Sequence, residues 1–342
     1  MKNWIATTSL LALATLALNA AQDQKGEAPS PSHVAMFKPL EAAPAQPAAL
    51  VDLGRRLYFE KRLSKNQELS CNSCHVLDKY GTDNLPFSPG HKGQLGGRSS
   101  PNVYHSALSL AQFWDGRAAD LAAQAKGPIL NPVEMAMPDE KSVIAVLESI
   151  PGYPEAFAKA FPGEAAPLNY NNLAVAIAAF EKGLVTPSRF DKYLKGDGAA
   201  LSAEERAGLE LFVAKGCAGC HNGPALGGAM FMKYGMIHPV EELKDGGRFE
   251  HTKNEADRSF FKVPTLRNVA ETAPYFHDGS AKTLDEAVRK MAWHQGGHKL
   301  SDAEAASIQT FLKSLTGDLP KEYIALVAPF PSGPKTPAPV KD

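Results

Sequence analysis

Cys71-Asn72-Ser73-Cys74-His75 and Cys217-Ala218-Gly219-Cys220-His221 are two copies of a Cys-x-x-Cys-His motif, and together they use all four cysteines of the chain. The motif is typical of c-type haem attachment, in which both cysteines form thioether bonds and the adjacent histidine binds the iron. A zinc site and a redox-active dithiol are the alternatives, but neither explains the histidine after each pair. We therefore predict two covalently bound haem c groups.

Length and charge limit the class of protein. With 342 residues the chain can form two domains with separate cores. The 36 basic and 37 acidic side chains give a net charge of −1. This balance gives no reason to expect nucleic acid or a membrane surface as a partner.

The N-terminus has the form of a secretory signal peptide over residues 1–20. Lys2 precedes an apolar run from Ile5 to Leu18, and a cleavage site of small residues stands before Ala21. The run is too short to span a membrane comfortably, so we expect an exported protein in the periplasm. Disulfides are not expected there, because haem attachment would consume every thiol.

Helix-start signals dominate the rest of the sequence. Ser202-Ala203-Glu204-Glu205 and Ser301-Asp302-Ala303-Glu304 are capping boxes, and Thr283-Leu284-Asp285-Glu286 has the same form. The helix that begins after Ser301 is expected to run to Leu315. No convincing run of alternating strand residues appears, so the predicted fold class is mainly α.

An internal repeat divides the chain. The segment from Pro101 to Ala125, with Phe113-Trp114-Asp115-Gly116, recurs 163 positions later from Pro264 to Val288, with Phe276-His277-Asp278-Gly279. The two haem motifs are only 146 positions apart, so the second copy carries about 17 more residues between its motif and this segment. We predict two cytochrome c-like lobes with one haem each.

The ends of the chain and the segment between the lobes are less regular. Residues 21–48 are rich in Ala, Pro and Gln, and the C-terminal tail carries five prolines, so the first is predicted to be a loose arm and the second extended or disordered. The predicted divisions are a signal peptide at 1–20, a flexible arm at 21–48, a first cytochrome c-like domain at 49–166, a linking segment at 167–200, a second such domain at 201–327 and a Pro-rich tail at 328–342.

The ligand opposite each motif histidine decides the chemistry, because an iron with two strong axial ligands transfers electrons and an open site can bind an oxidant. For the second haem we expect Met291, on an amphipathic segment well downstream of the motif. The alternative is that Met291 belongs to the apolar core. Met230, Met232 and Met236 are competing ligands.

For the first haem the expected ligand is His91, which lies in the glycine-rich segment from Ser88 to Gly97. Such a loop is flexible, so a histidine on it can bind iron and also release it. A solvent-exposed loop histidine is the alternative, and His105 is the main rival as ligand.

Two polar residues and one tryptophan are candidates for an open first haem. Glu134 stands among apolar residues, where desolvation would raise its pKa towards the range that proton transfer to peroxide needs. Gln124 can hydrogen-bond the peroxide. A surface glutamate and glutamine are the simpler alternatives. Trp114 takes the place of His277 in the repeat and lies either in the core or between the haems, and Tyr104 and Tyr275 share that ambiguity.

Together these residues resemble the bacterial di-haem cytochrome c peroxidase family, from about Asp52 to Leu315. The resemblance is carried by Leu69-Ser70-Cys71-Asn72-Ser73-Cys74-His75, Gln112-Phe113-Trp114-Asp115-Gly116-Arg117, Gln124-Ala125-Lys126-Gly127-Pro128-Ile129, Leu184-Val185-Thr186-Pro187, Leu266-Arg267-Asn268-Val269-Ala270 and Thr272-Ala273-Pro274-Tyr275-Phe276-His277.

The resemblance implies a role for each candidate. His75 would be the proximal ligand of a low-potential, peroxide-reducing haem, with His91 as its displaceable sixth ligand. His221 and Met291 would bind the iron of a high-potential haem that receives electrons. The catalytic candidates are Glu134 as acid–base residue, Gln124 beside it and Trp114 between the haems.

The family also implies a calcium ion between the lobes. Thr272 and Pro274 match two of its contributors. The third is usually an asparagine, whereas this chain has Arg98-Ser99-Ser100-Pro101, and the shorter serine is a poorer oxygen donor. Family members are commonly homodimers.

The function expected from the resemblance is periplasmic reduction of hydrogen peroxide to water, with electrons from a small cytochrome c or a blue-copper protein (a cupredoxin). One alternative is a di-haem electron-transfer cytochrome, with both irons firmly six-coordinate. The other is a MauG-like enzyme that oxidises a protein side chain. A tyrosine replaces the distal methionine in those enzymes, so Met291 argues against it.

Overall fold

A computed structural model describes residues 26–241 and 243–340. The chain is mostly helical with little sheet, which confirms the predicted mainly α class. The predicted signal peptide lies outside the described residues. Within the described ranges, none of the helices combines the length and hydrophobicity needed to cross a lipid bilayer.

The helices and strands of the described residues are short and joined by long loops. In chain order the helices are α1 Pro31–Phe37, α2 Ala48–Tyr58, α3 Cys71–Cys74, α4 Leu121–Leu130, α5 Glu140–Glu148, α6 Gly152–Ala160, α7 Tyr170–Glu181, α8 Arg189–Leu194, α9 Ala203–Ala214, α10 Phe249–Thr252, α11 Leu284–His294, α12 Asp302–Lys313 and α13 Lys321–Ile324. The strands are β1 Phe231–Lys233 and β2 Phe260–Lys262.

Each lobe is built on a crossed pair of helices. In the first lobe α2 packs on α7, and in the second α9 packs on α12. A glycine stands at each crossing: a Cβ on Gly54 would collide with the backbone of Ala176, and one on Gly208 with the backbone of Ser307. Glycine is required at both positions because the two backbones approach so closely. The buried apolar residues accordingly form two separate clusters.

The repeat seen in the sequence is also present in the backbone. Gln112 pairs with Ala118 in an isolated antiparallel bridge, and Tyr275 pairs with Ala281 in the same way. The residue that follows the first member of each bridge has a left-handed backbone conformation, with φ of 65° at Phe113 and 71° at Phe276. Helices α4 and α11 follow at matching positions, each capped by the side chain of the preceding residue.

Three segments differ from the predictions. Helix α7 lies in the predicted linking segment 167–200, but it forms half of the first lobe's crossed pair. Nearly all of its side chains are buried, and a helix without a clear polar face does not indicate from sequence which lobe it joins. In the second lobe β1 and β2 form an antiparallel pair that no alternation pattern indicated. Each strand has only three residues.

The predicted loose arm is partly ordered. Helix α1 begins at Pro31 behind the cap Ser30, and Phe37 is fully buried with its ring edge-on to Phe190. The Leu40 N–H donates to Asp191 over 2.7 Å. These contacts hold the arm on the second lobe.

The C-terminal tail is extended, and it lies along the first lobe. The Phe330 ring packs edge-on against Tyr153 with centroids 5.1 Å apart. Its carbonyl oxygen accepts a hydrogen bond from Arg62 over 2.9 Å. The Pro-rich tail is therefore extended, and side-chain contacts with the first lobe hold it in place.

Candidate haem sites

Both Cys-x-x-Cys-His motifs line one continuous cavity that extends across the two lobes. Its volume is about 1390 Å³. Of the predicted residues, Trp114, Gln124, Glu134 and Met291 also line it. Residues far apart in the sequence therefore meet around one space.

In the first motif, α3 begins behind a capping box formed by Ser70 and Ser73, and His75 is its C-cap. The His75 Nδ1 lies 2.9 Å from the Pro101 carbonyl oxygen. A carbonyl oxygen only accepts, so Nδ1 carries the proton and Nε2 keeps a lone pair for a metal. Burial lowers the pKa of His75, which favours this neutral form. The Tyr58 hydroxyl donates to the His75 carbonyl oxygen over 2.8 Å and fixes the end of α3.

The second motif repeats this arrangement with a different backbone. Gly216 has φ of 78° and turns the chain from α9 into the motif. The His221 Nδ1 donates to the Leu226 carbonyl oxygen over 3.3 Å. Burial lowers the pKa of His221 to about 4, so its Nε2 is also an unprotonated lone pair.

The four cysteines have the surroundings of attachment sites. All are free and only partly exposed, and burial raises the pKa of both Cys74 and Cys217 to about 11. Burial therefore keeps these two thiols neutral, and both line the cavity. Among the described residues no cluster of three or more His, Cys, Asp or Glu side chains could hold a bare metal ion. One neutral imidazole and two thiols per lobe therefore fit a covalently attached haem.

The methionine candidates for the second haem differ in whether they line the cavity and in how exposed they are. Met291, on α11, lines the cavity. Its competitors Met232 and Met236 also line the cavity, whereas Met230 does not. Met236 is 52% exposed, which favours Met291 and Met232. The ligand role of Met291 remains a prediction.

The two histidine candidates of the first lobe are both buried, and neither lines the cavity. The His105 Nε2 is hydrogen-bonded to Thr186 Oγ1 over 2.9 Å, and burial lowers its pKa to about 3, so its position is that of a core histidine. His91 lies on a loop docked against the next segment, where its backbone N–H donates to the Glu134 carbonyl oxygen over 2.8 Å. The iron-binding role of His91 remains a prediction.

Glu134 lines the cavity with its carboxyl partly buried. Burial raises its pKa, although Arg117 and a hydrogen bond from Asn131 partly oppose the rise. The Asn131 Nδ2 donates to Glu134 Oε1 over 2.9 Å and orients the carboxyl. Gln124 lines the same cavity from α4, so an amide and a protonatable carboxyl share one wall.

Trp114 lies where the lobes meet. Its ring centroid is 6.3 Å from that of His277, edge-on, and its carbonyl oxygen accepts from the Lys262 N–H over 2.8 Å. Tyr104 and Tyr275 instead donate their hydroxyls to backbone carbonyls within their own lobes. Trp114 therefore contacts both lobes.

An ion-pair network that sequence reasoning missed also joins the lobes. The Arg98 guanidinium donates to both carboxylate oxygens of Asp245, over 2.6 and 2.7 Å, and to Asp115 over 2.7 Å. Arg98 follows the glycine-rich loop, and Asp245 belongs to the longer second lobe. Nothing in the sequence indicates that these two residues pair.

Comparisons with known proteins agree with this geometry. The sequence model of the family described as "Di-haem cytochrome c peroxidase" matches residues 48–199, and that of "Cytochrome c" matches 205–316. Cytochrome c551 peroxidase of Nitrosomonas europaea is 47% identical over 86% of this chain and 87% of its own. Cytochrome c551 peroxidase of Pseudomonas aeruginosa is 46% identical over 83% of this chain and 84% of its own.

This chain belongs to the di-haem cytochrome c peroxidase family. Among solved structures, a MauG-like protein associated with microbial copper homeostasis superposes with a TM-score of 0.75 and 26% identity over 84% of this chain and 97% of that one. The family membership confirms the resemblance and makes the chain an oxidoreductase. It also implies haem c, in agreement with the donors found in each lobe.

The calcium site of the di-haem peroxidases can be compared with the residues present. Ser99, Thr272 and Pro274 all line the cavity between the lobes. Both backbone groups of Ser99 are engaged, since its N–H donates to His277 over 2.7 Å and its carbonyl oxygen accepts from Trp114. A second lone pair on that oxygen remains for a cation. Calcium binding is therefore still a prediction.

Proposed function

We propose that this protein reduces hydrogen peroxide to water in the periplasm, with electrons from a small cytochrome c or a cupredoxin. The observation that supports this most strongly is the position of Glu134, a partly buried carboxyl with a raised pKa on the cavity that holds His75. A plain electron carrier needs no acid–base residue beside a bound oxidant.

The proton chemistry is assigned to Glu134. When bound, the first haem supplies the iron that peroxide binds and electrons that cleave the O–O bond. Glu134 takes the proton from the near oxygen and returns it to the leaving oxygen, and its raised pKa makes the carboxylate a stronger base for the first transfer. The Gln124 amide hydrogen-bonds the peroxide and holds it beside the carboxyl.

Access to this site is assigned to the loop that carries His91. With the first haem bound, His91 would hold its iron in the resting enzyme and would so exclude peroxide. Its release is supported by the arrangement described above, in which His91 lies off the cavity and its backbone is docked on Glu134. Reduction at the second lobe would favour this released arrangement of His91.

Electrons enter at the second lobe. His221 and Met291 would hold the iron of the second haem, and a thioether ligand would favour its reduced state. Trp114, in contact with both lobes, lies on the route to the first haem. Calcium held by Ser99, Thr272 and Pro274, and a homodimer, complete the proposed assembly.

The direct test is turnover of peroxide by the haem-loaded protein with a reduced small cytochrome c. Glu134→Gln removes the titrating proton and keeps the shape. We expect turnover to fall by about 10²- to 10⁴-fold, while peroxide binding, followed in the electronic spectrum, persists. The matched control is Glu148→Gln at an exposed glutamate, which should leave turnover unchanged. Full turnover in Glu134→Gln would remove the acid–base role.

A further inference from the structure

Glu181 is a buried carboxyl that none of the roles above uses. It is the last residue of α7, is 5% exposed and lines the cavity. Within the described part of the chain, its Oε2 has no hydrogen-bond partner. An ionised carboxylate without a partner is costly to bury, so the position requires either a proton or a neighbouring group that the cavity holds.

The titratable groups that face Glu181 leave the carboxyl without a counter-ion. The Tyr58 hydroxyl from α2 is already committed to the His75 carbonyl oxygen. The Cys71 thiol from α3 is neutral, because burial raises its pKa. The negative charge of an ionised Glu181 further raises the pKa of both groups.

The other elements packed on α7 direct their charges elsewhere. From α4, the Lys126 ammonium donates to Asn171 at the opposite end of α7. From α5, Glu140 acts on Tyr170, also at that end. From α13, Tyr323 donates its hydroxyl to the Phe180 carbonyl oxygen over 2.7 Å. Burial therefore dominates at Glu181 and raises its pKa to about 8.

The second lobe provides an internal comparison. The helix crossings at Ala176 and Ser307 are equivalent, and five residues further along lie Glu181 and Leu312. Leu312 is also buried and lines the cavity. One lobe thus has a carboxyl where the other, at the same place in the same pair of helices, has an alkyl side chain.

We propose that Glu181 is a redox-linked proton-binding site, which takes up one proton from solvent when an electron enters the first haem and releases it when that electron leaves. The inference rests on haem attachment at Cys71 and Cys74. The electron comes from the donor cytochrome or cupredoxin, and the only bond formed is the carboxyl O–H. An added electron repels a nearby carboxylate strongly, because the protein interior screens charge weakly. Binding this proton neutralises the carboxylate and removes the repulsion. Peroxide reduction consumes two protons with its two electrons, and Glu181 brings one of them in beside the first haem.

The test is a spectroelectrochemical titration of both haems in the holoprotein between about pH 6 and about pH 10, around the raised pKa. The midpoint potential of the first haem should fall with rising pH, with a slope approaching about 59 mV per tenfold change in proton concentration. Glu181→Gln and Glu181→Leu should flatten this slope. The second haem, which has Leu312, should keep its own pH profile in both variants.

The proposal is overturned if Glu181→Gln retains the wild-type slope. A measurement on the wild type alone guards against a variant that does not fold: the redox-difference infrared spectrum should gain a protonated-carboxyl C=O band on reduction, and its absence would also overturn the proposal. Neither measurement involves peroxide. A protein that shows the slope but no peroxide turnover would refute the proposed function and leave the role of Glu181 standing.

Discussion

The indole N–H of Trp114 donates a hydrogen bond to the carbonyl oxygen of Ser99 over 2.9 Å. The Ser99 N–H in turn donates to the carbonyl oxygen of His277, whose ring stacks on Phe261 with centroids 4.3 Å apart. Residues of both lobes are therefore joined in one connected set. This set fixes the orientation of the tryptophan at the junction between the lobes.

We expect Trp114→Phe to slow electron transfer between the haems, because the smaller ring loses both the indole N–H bond and part of the contact with His277. The lost hydrogen bond should lower the free energy of unfolding by about 1 kcal/mol. Stopped-flow spectra after rapid reduction of the second haem measure the transfer. Trp293→Phe, at a 43% exposed tryptophan on α11, is the control. Wild-type transfer rates in Trp114→Phe would show that the residue is only structural.

The Arg98 network predicts a pH-dependent contribution to stability. Burial disfavours ionisation of Asp115 and Asp245, but the arginine contacts outweigh it, so the pKa of each lies below its ordinary value. A lowered carboxyl pKa stabilises the fold above the unfolded value of about 4 and loses that effect as the pH falls through the folded value.

Arg98→Ala should therefore reduce the free energy of unfolding by about 1–3 kcal/mol at neutral pH, since it leaves the buried Asp115 and the partly buried Asp245 without this partner. The difference from wild type should shrink at about pH 3, where carboxyls become protonated. Denaturant unfolding at both values checks this. Arg258→Ala, at an exposed pair with Glu255, should change little, and an equal loss at both pH values would contradict the electrostatic origin.

His91→Gly removes the proposed blocking ligand. The fully oxidised variant should reduce peroxide at a rate close to that of the half-reduced wild type, because the first iron no longer needs the loop to move. Initial rates with both redox states measure this. His298→Gly, a histidine that also follows glycines, should behave as wild type. If oxidised His91→Gly is as inactive as the oxidised wild type, the gate lies elsewhere.

Met291→Leu removes the proposed thioether ligand. The near-infrared methionine–Fe(III) charge-transfer band should disappear, and the midpoint potential of the second haem should fall. Met232→Leu and Met236→Leu test the two competitors on the cavity and should keep the band. Loss of the band in Met232→Leu, with Met291→Leu unchanged, would transfer the assignment to Met232.

The sequence predicted the parts of the fold that repeat and the parts that carry chemistry. The echo of Phe113 at Phe276 appears in the structure as an equivalent turn, because turns are locally determined. The haem motifs bring equivalent side chains to the cavity on different backbones. Capping side chains placed the starts of α9 and α12 correctly. The end of α12 at Lys313, before the expected Leu315, reflects the usual uncertainty of helix ends.

Long-range contacts could not be predicted in the same way. Arg98 and Asp245 are paired by the docking of two lobes, and no local pattern encodes that docking. Glu181 ends an almost fully apolar helix, so only the position of α7 against α2 shows that its carboxyl faces the cavity. Phe37 and Leu40 lie in an arm that is rich in Ala and Pro, and this composition gave no indication that the two residues are buried.

In the proposed mechanism the two haem sites are unequal, with peroxide chemistry at the first and electron entry at the second. Steady-state peroxide reduction by the fully oxidised and the half-reduced holoprotein, with electronic spectra of both, tests it most directly. We predict turnover in the half-reduced state, little in the oxidised state, and loss of the six-coordinate spectrum of the first haem on half-reduction. Two haems that stay six-coordinate, with no turnover in either state, would contradict the account.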